Sequence, residues 1–197
     1  QGVKPGTTLL MVKTGYTATE PVQTSYIGDD DLDQLYNYNF TNVLDSDLQF
    51  VRGGHPYTRP CGWHRVALKV LGRYDDDVWL GTRGIRTWSS EGEWAVSYHG
   101  TAAENIRPIC SGGYDTGKCT KQMFGPGIYS TPSFAVAESY AKQFVLKGVS
   151  YKMLLQNRVN LVSSKIVPRE SNCAEADYFV TPDDKDIRPY GVCLKQV

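Results

Sequence analysis

With 197 residues, 41% of them hydrophobic and 21% charged, the chain has the length and composition of one globular domain able to bury a core. Twenty-one Lys and Arg balance 21 Asp and Glu, so the formal net charge is zero, which argues against nucleic acid as a partner. No apolar run approaches the roughly eighteen residues of a membrane span, which argues against a membrane partner. Residues 1–35, rich in Thr, Gly and acidic side chains, read as a linker or N-terminal extension with one strand from Thr8 to Val12; residues 36–197 read as the folded domain. HRVALKV (64–70) predicts a strand ending before Gly72, and DDDVWLG (75–81) and EWAVSYHG (93–100) predict two more. TAAENIRPIC (101–110) predicts a short helix, followed by a Gly-rich loop, SGGYDTGKCTKQMFGPG. GIYS predicts a short strand. In SFAVAESYAKQFV, Phe134, Ala137, Tyr140, Ala141 and Phe144 recur at helical spacing behind Ser133 as N-cap, the strongest helix signal in the chain. SYKMLLQNRVNLV, DYFVT and YGVCLKQV predict the closing strands. Many short strands with two helices give an α+β domain on an antiparallel or mixed sheet.

Cys61, Cys110, Cys119, Cys173 and Cys193 are odd in number and irregularly spaced, which argues against a disulfide framework and for a reducing, cytoplasmic compartment. The triplet Asn39-Phe40-Thr41 would count as a glycosylation acceptor only in a secreted chain, and the start at Gln1 gives the absence of a leader no weight. Neither Cys61-x-x-His64 nor Cys110-x8-Cys119 has the paired spacing of a zinc site, so no metal is expected. The acidic run Asp75-Asp76-Asp77 reads as a turn.

Two stretches carry chemistry. Tyr98-His99-Gly100-Thr101 ends a predicted strand; Met123-Phe124-Gly125-Pro126-Gly127-Ile128-Tyr129 runs through another into the helix holding Tyr140, eleven residues after Tyr129. Singly, each of these residues has an ordinary packing role. In this order and spacing they resemble the catalytic core of ADP-ribosyltransferases of the diphtheria-toxin and poly(ADP-ribose) polymerase type, over residues 95–194. The resemblance implies a split sheet with NAD in its cleft and transfer of ADP-ribose from NAD to a protein side chain, with nicotinamide released. Separating nicotinamide from ribose develops positive charge at the ribosyl carbon, as in glycoside cleavage. Such a site needs a flat slot, hydrogen bonds to the carboxamide and a nearby carboxylate.

On that resemblance Tyr129 and Tyr140 sandwich the nicotinamide. Gly100, with no Cβ, lets its backbone reach the carboxamide, and His99, beside Thr101, anchors the adenosine-side ribose. Ala137 stands eight residues after Tyr129, where many family members carry a serine for the carboxamide oxygen; Ser133 and Ser139 are out of register. Asp177, heading DYFV, occupies the position of the family glutamate, and Glu175 shares its face if both are extended, assisting it or orienting the acceptor. Arg107, Lys118 and Lys121, in the loop spanning 106–121, are expected to meet the pyrophosphate. An Asp in place of Glu argues for single transfers over chain extension. Two alternatives stay open at this point: an NAD glycohydrolase with water as acceptor, and a non-catalytic module of the same fold that binds a protein or an ADP-ribose-like ligand.

Overall fold

A computed structural model describes residues 27–45, 47–119, 123–172 and 175–197. In chain order the elements are β1 (Tyr38–Asn39), β2 (Val51–Arg52), β3 (His55–Pro56), β4 (His64–Ala67), β5 (Ala95–Gly100), α1 (Ala103–Gly112), β6 (Ile128–Ser130), α2 (Phe134–Tyr140), β7 (Phe144–Leu146), β8 (Val149–Val159), β9 (Lys165–Val167), α3 (Arg169–Asn172), β10 (Tyr178–Thr181) and β11 (Ile187–Gln196). One sheet runs β1-β4-β11-β8-β5, with β7 also paired to β8; a second runs β6-β10-β9; β2 and β3 form a hairpin. Every pairing between these strands is antiparallel, so the described residues form an α+β domain built mostly of antiparallel strands.

β8 and β11 make the centre because both faces of β8 are covered. Leu155 and Val159 turn to one face and pack with Ile106 and Cys110 of α1. Leu154 turns to the other, where it meets Trp63, Tyr98, Phe134 and Ala137, so α2 packs on the opposite side from α1. Pro189 cannot donate to the ladder, and the register slips between Pro189 and Gly191, leaving Tyr190 as the extra residue of a bulge.

Among the described residues the two sheets are bridged backbone to backbone at one residue pair. Tyr98 and Thr131 exchange backbone hydrogen bonds of 2.8 and 3.0 Å, after which β5 and the small sheet part company. Packing within the described residues begins at Ile27, which is buried in the main core, and Leu32 bridges to Leu68; Ile27 and Leu32 thus pack with the domain. The expected strand at Thr8–Val12 lies outside the described residues.

Three sequence expectations are corrected. DDDVWLG is not a strand: Val78–Leu80 is a single 3-10 turn, held by the Asp76 carboxylate accepting from Val78 N at 2.9 Å and by Trp79 Nε1 donating to Asp76 O at 2.8 Å. Turn chemistry of the aspartate run overrides the strand preference of Val-Trp-Leu. α2 does not continue to Phe144. Ser133 caps its start, Oγ accepting from Val136 N at 3.3 Å, but Ala141 already has extended dihedrals and Lys142 N bonds Thr101 O at 3.3 Å. Phe144-Val145-Leu146 instead turns back through Lys147-Gly148 to pair with β8. The strand HRVALKV is likewise shorter, leaving the ladder after Ala67, because Leu68 N bonds the bulged Tyr190 carbonyl.

Candidate active site

The junction of the two sheets gathers most of the residues singled out in the sequence. Since Tyr98 spends its N–H and C=O on Thr131, alternation along β5 turns the N–H and C=O of Gly100 to the same side, past the end of that pairing. α2 closes against this point. A Cβ on Gly100 would overlap the Ala137 carbonyl and sit 2.8 Å from Ala141 N, so only glycine lets α2 approach β5. The glycine is therefore demanded by packing alone, whatever else it does. Ala137 itself is buried among Trp63, Tyr98 and Phe134, its methyl filling core space. Neither nearby serine replaces the missing hydroxyl, since Ser133 caps α2 and Ser139 Oγ donates to Val136 O at 2.7 Å.

His99 points to the α1 side. Its Nδ1 lies 2.7 Å from the Tyr129 carbonyl, which can only accept, so Nδ1 carries a proton, and in the neutral tautomer this fixes, Nε2 is the acceptor atom. The ring meets Tyr114 edge-on at 5.5 Å, and Tyr114 in turn donates to Asn157 Oδ1 at 2.8 Å. Thr101 follows, its Oγ1 accepting from Asn105 Nδ2 at 2.9 Å. The imidazole is thus fixed by β5, β6 and the segment leaving α1.

Tyr129 fastens the loop before it. Its hydroxyl accepts from Phe124 N at 2.7 Å and donates to Gly125 O at 2.7 Å. Gly127, at φ +143°, adopts a backbone few other residues reach, and a Cβ there would sit 2.7 Å from Thr181 O. Tyr129 pairs with Val180, so Tyr178, two residues along, shares its face. The rings form a row: Tyr129 to Phe124 at 6.3 Å with planes 28° apart, then Phe124 to Tyr178 at 6.0 Å and 33°. Tyr178 Oη meets Tyr140 Oη at 2.9 Å. Burial, together with the Tyr140 hydroxyl, pushes the Tyr178 phenol up to about 12. Tyr129 and Tyr140 are joined through Phe124 and Tyr178, two aromatics to which the sequence reading gave no role. Phe124 lay within the quoted lead-in, and the alternation of Tyr178 with buried Phe179 was the signal for an aromatic on the outer face. Tyr129→Phe should cost about 1–3 kcal/mol, since it strips the Phe124 amide of its acceptor, measured as a lowered urea midpoint. An unchanged midpoint would mean the loop is held by other contacts.

The acids are arranged differently from expectation. Asp177 Oδ1 accepts from Arg169 N at 3.0 Å, bracing the start of α3. Glu175 is exposed and sits in a bend, with β10 beginning only at Tyr178. The two acids do not lie on one strand face, because the chain turns at Glu175–Ala176 before it becomes extended. The basic loop is also corrected. Residues 106–112 belong to α1, which leaves Arg107 exposed on a helix, and Lys118 Nζ pairs with Asp115 at 3.4 Å. Lys121 lies outside the described residues.

Among the described residues, no three His, Cys, Asp or Glu side chains gather as a metal site would need. No helix among them is long and apolar enough to cross a membrane. Burial pushes the Cys193 thiol up to about 12 and the Cys110 thiol up strongly, so neither is a ready nucleophile. Comparison with models of known families finds no match for this chain, and comparison with curated proteins finds none either.

Proposed function

We propose that the chain is an ADP-ribosyltransferase of the split-sheet kind, moving one ADP-ribose from NAD to a protein side chain and releasing nicotinamide. The observation that carries the reading is the juxtaposition at the Tyr98–Thr131 junction: the outward N–H and C=O of Gly100, a His99 ring locked by the Tyr129 carbonyl, and the Tyr129–Phe124–Tyr178 row with Tyr140 at its end. In this reading the Gly100 N–H and C=O hold the nicotinamide carboxamide, and the aromatic row takes its flat ring. His99 Nε2 accepts from a ribose hydroxyl. Asp177, oriented by the Arg169 amide, faces the positive charge that develops at the ribosyl carbon as the bond to nicotinamide breaks. The acceptor side chain then closes the new bond to the same carbon. The second reading, hydrolysis with water as acceptor, draws on the exposed, separate position of Glu175, which leaves Asp177 as the one acid braced beside the aromatic row.

The test is incubation of the full chain with labelled NAD and a cell lysate, following nicotinamide release and protein label. His99→Ala, Tyr129→Ala, Glu175→Ala and Asp177→Ala run beside the wild type. Release and protein label that vanish in Asp177→Ala are the expected result. Release without label would replace the transferase by a glycohydrolase. Heat protection by NAD with no release would leave a binding module.

A further inference from the structure

A cavity lies on another part of the main sheet. Gln156 and Arg158 alternate with Leu155 and Val159 along β8, so they face away from α1. There, with Arg65 of β4 and the bulged Tyr190, they border a cavity of about 620 Å³, a volume suited to a nucleotide-sized ligand. His99, Gly100, Tyr129, Tyr140 and Tyr178 take no part in its wall.

Its charge is unbalanced. Arg52, Arg59, Arg65, Arg83 and Arg158 line it, against two lining carboxylates, Asp33 and Asp77, and Arg59 is paired with Asp45 at 3.2 Å. Both carboxylates are turned to backbone amides: Asp33 accepts from Leu35 N at 3.3 Å, and Asp77 from Gly72 N at 3.1 and 3.3 Å. Behind the wall a single carboxylate, Glu93, serves Arg86, Arg158 at 3.0 Å and Arg52 at 3.9 Å. Arg65 is held by neutral acceptors alone: Gln156 Oε1 at 2.8 Å, Tyr36 O at 2.7 Å and Tyr190 O at 3.0 Å. Carbonyls of this kind fix where a guanidinium points without cancelling its charge. Arg158 is 5% exposed, yet its Nε has no acceptor. Burial lowers the Arg52 pKa, and Arg86 and Arg158 beside it lower it further.

Most of the remaining lining is aromatic and apolar, with Asn37, Thr82 and Gln156 among it. Tyr36 carries the exposed Arg83 guanidinium 3.8 Å over its ring, and Tyr57 and Tyr190 stand beside Arg52 and Arg65. Around the mouth, Leu35 is 89% exposed and Ile85 76%, so apolar side chains stand open at this rim. Planar guanidinium forks match phosphate oxygens, and the tyrosines with the apolar rim match a flat, weakly polar body.

We propose that this cavity binds a phosphate monoester carried on a flat ring system, the arginines taking the phosphate and the tyrosines and rim the ring. The same chemistry is offered by a free nucleoside monophosphate and by phosphotyrosine, so both are probes. Calorimetric titration of the full chain with AMP, phosphotyrosine, adenosine and inorganic phosphate tests the idea. At least one monoester should bind at least about tenfold more tightly than adenosine and than inorganic phosphate, and more weakly as salt rises. Whichever monoester binds more tightly identifies the source. Arg83→Glu, at an exposed position with no fold to break, should weaken that monoester about tenfold or more, while Tyr129→Ala leaves it in place. Equal binding of AMP and adenosine with no uptake of phosphotyrosine, or monoester binding lost in Tyr129→Ala and kept in Arg83→Glu, would overturn the proposal. So would the absence of any monoester binding at millimolar concentration. None of these outcomes depends on nicotinamide release.

Discussion

Glu93→Gln is expected to destabilise the domain by about 3–5 kcal/mol, the range for removing one partner of a buried charge cluster. The Glu93 side chain is fully buried and accepts from Arg86 Nη1 at 3.0 Å, Arg86 Nη2, Arg158 Nη1 at 3.0 Å and Ser90 N at 3.0 Å. Glutamine retains one acceptor oxygen, but its amide nitrogen would face guanidinium donors, and three arginines would be left without their counter-charge. Burial by itself would raise the Glu93 pKa; the bonds from Arg86, the Ser90 amide and Arg158 outweigh it and hold the carboxyl below its ordinary 4.5. A depressed folded pKa stabilises fully above the unfolded value and is lost as pH falls through the folded one. The wild type should therefore lose stability as pH drops below about 4.5, and Glu93→Gln should show a shallower acid limb on a lower plateau. Urea unfolding at neutral pH and along a descending pH series measures both. A loss under about 1 kcal/mol with an unchanged acid limb would mean the arginines are balanced elsewhere.

Local pattern carried the sequence reading where one segment decided its own structure. The strand ending in His99 and Gly100, the Gly-Ile-Tyr strand and the Ser133 cap were all legible, because alternation, glycine placement and capping are short-range signals. The end of α2 was not. Phe144 keeps helical spacing with Tyr140, yet it joins β7, because pairing with β8 and the Lys142–Thr101 bond are contacts with distant segments. The relation of Glu175 to Asp177 failed for a similar reason, since a two-residue spacing fixes a shared face only inside a strand, and the strand starts at Tyr178. The arginine-lined cavity left almost no trace. Its cations come from positions 52, 59, 65, 83 and 158, and a formal charge of zero averages them away against acids spread along the whole chain. Asp33 and Asp77, in the same wall but turned to the Leu35 and Gly72 amides, show how neutral composition and local surplus coexist.

Asp177→Asn is expected to lower nicotinamide release by about 10²–10³-fold, the scale on which removal of one electrostatic contact to a transition state is felt, while leaving the fold nearly unchanged. The substitution separates two duties of one side chain. Asparagine keeps an Oδ1 that can accept from Arg169 N, the 3.0 Å bond that braces α3, and it removes the negative charge. Asp177→Ala removes both, so it should add about 1 kcal/mol of destabilisation to the same loss of release. Asp177→Glu restores the residue type that the resembled family carries, with one more methylene of reach, and should keep release measurable. Steady-state release across a range of NAD concentrations then gives the decisive split. Charge acting at the ribosyl carbon is a transition-state contact, so Asp177→Asn should depress kcat and leave KM for NAD close to wild type. If Asp177→Asn instead matches the wild type in both, the carboxylate is a brace for α3 alone, and the charge at the ribosyl carbon must be met by another group or the chemistry abandoned.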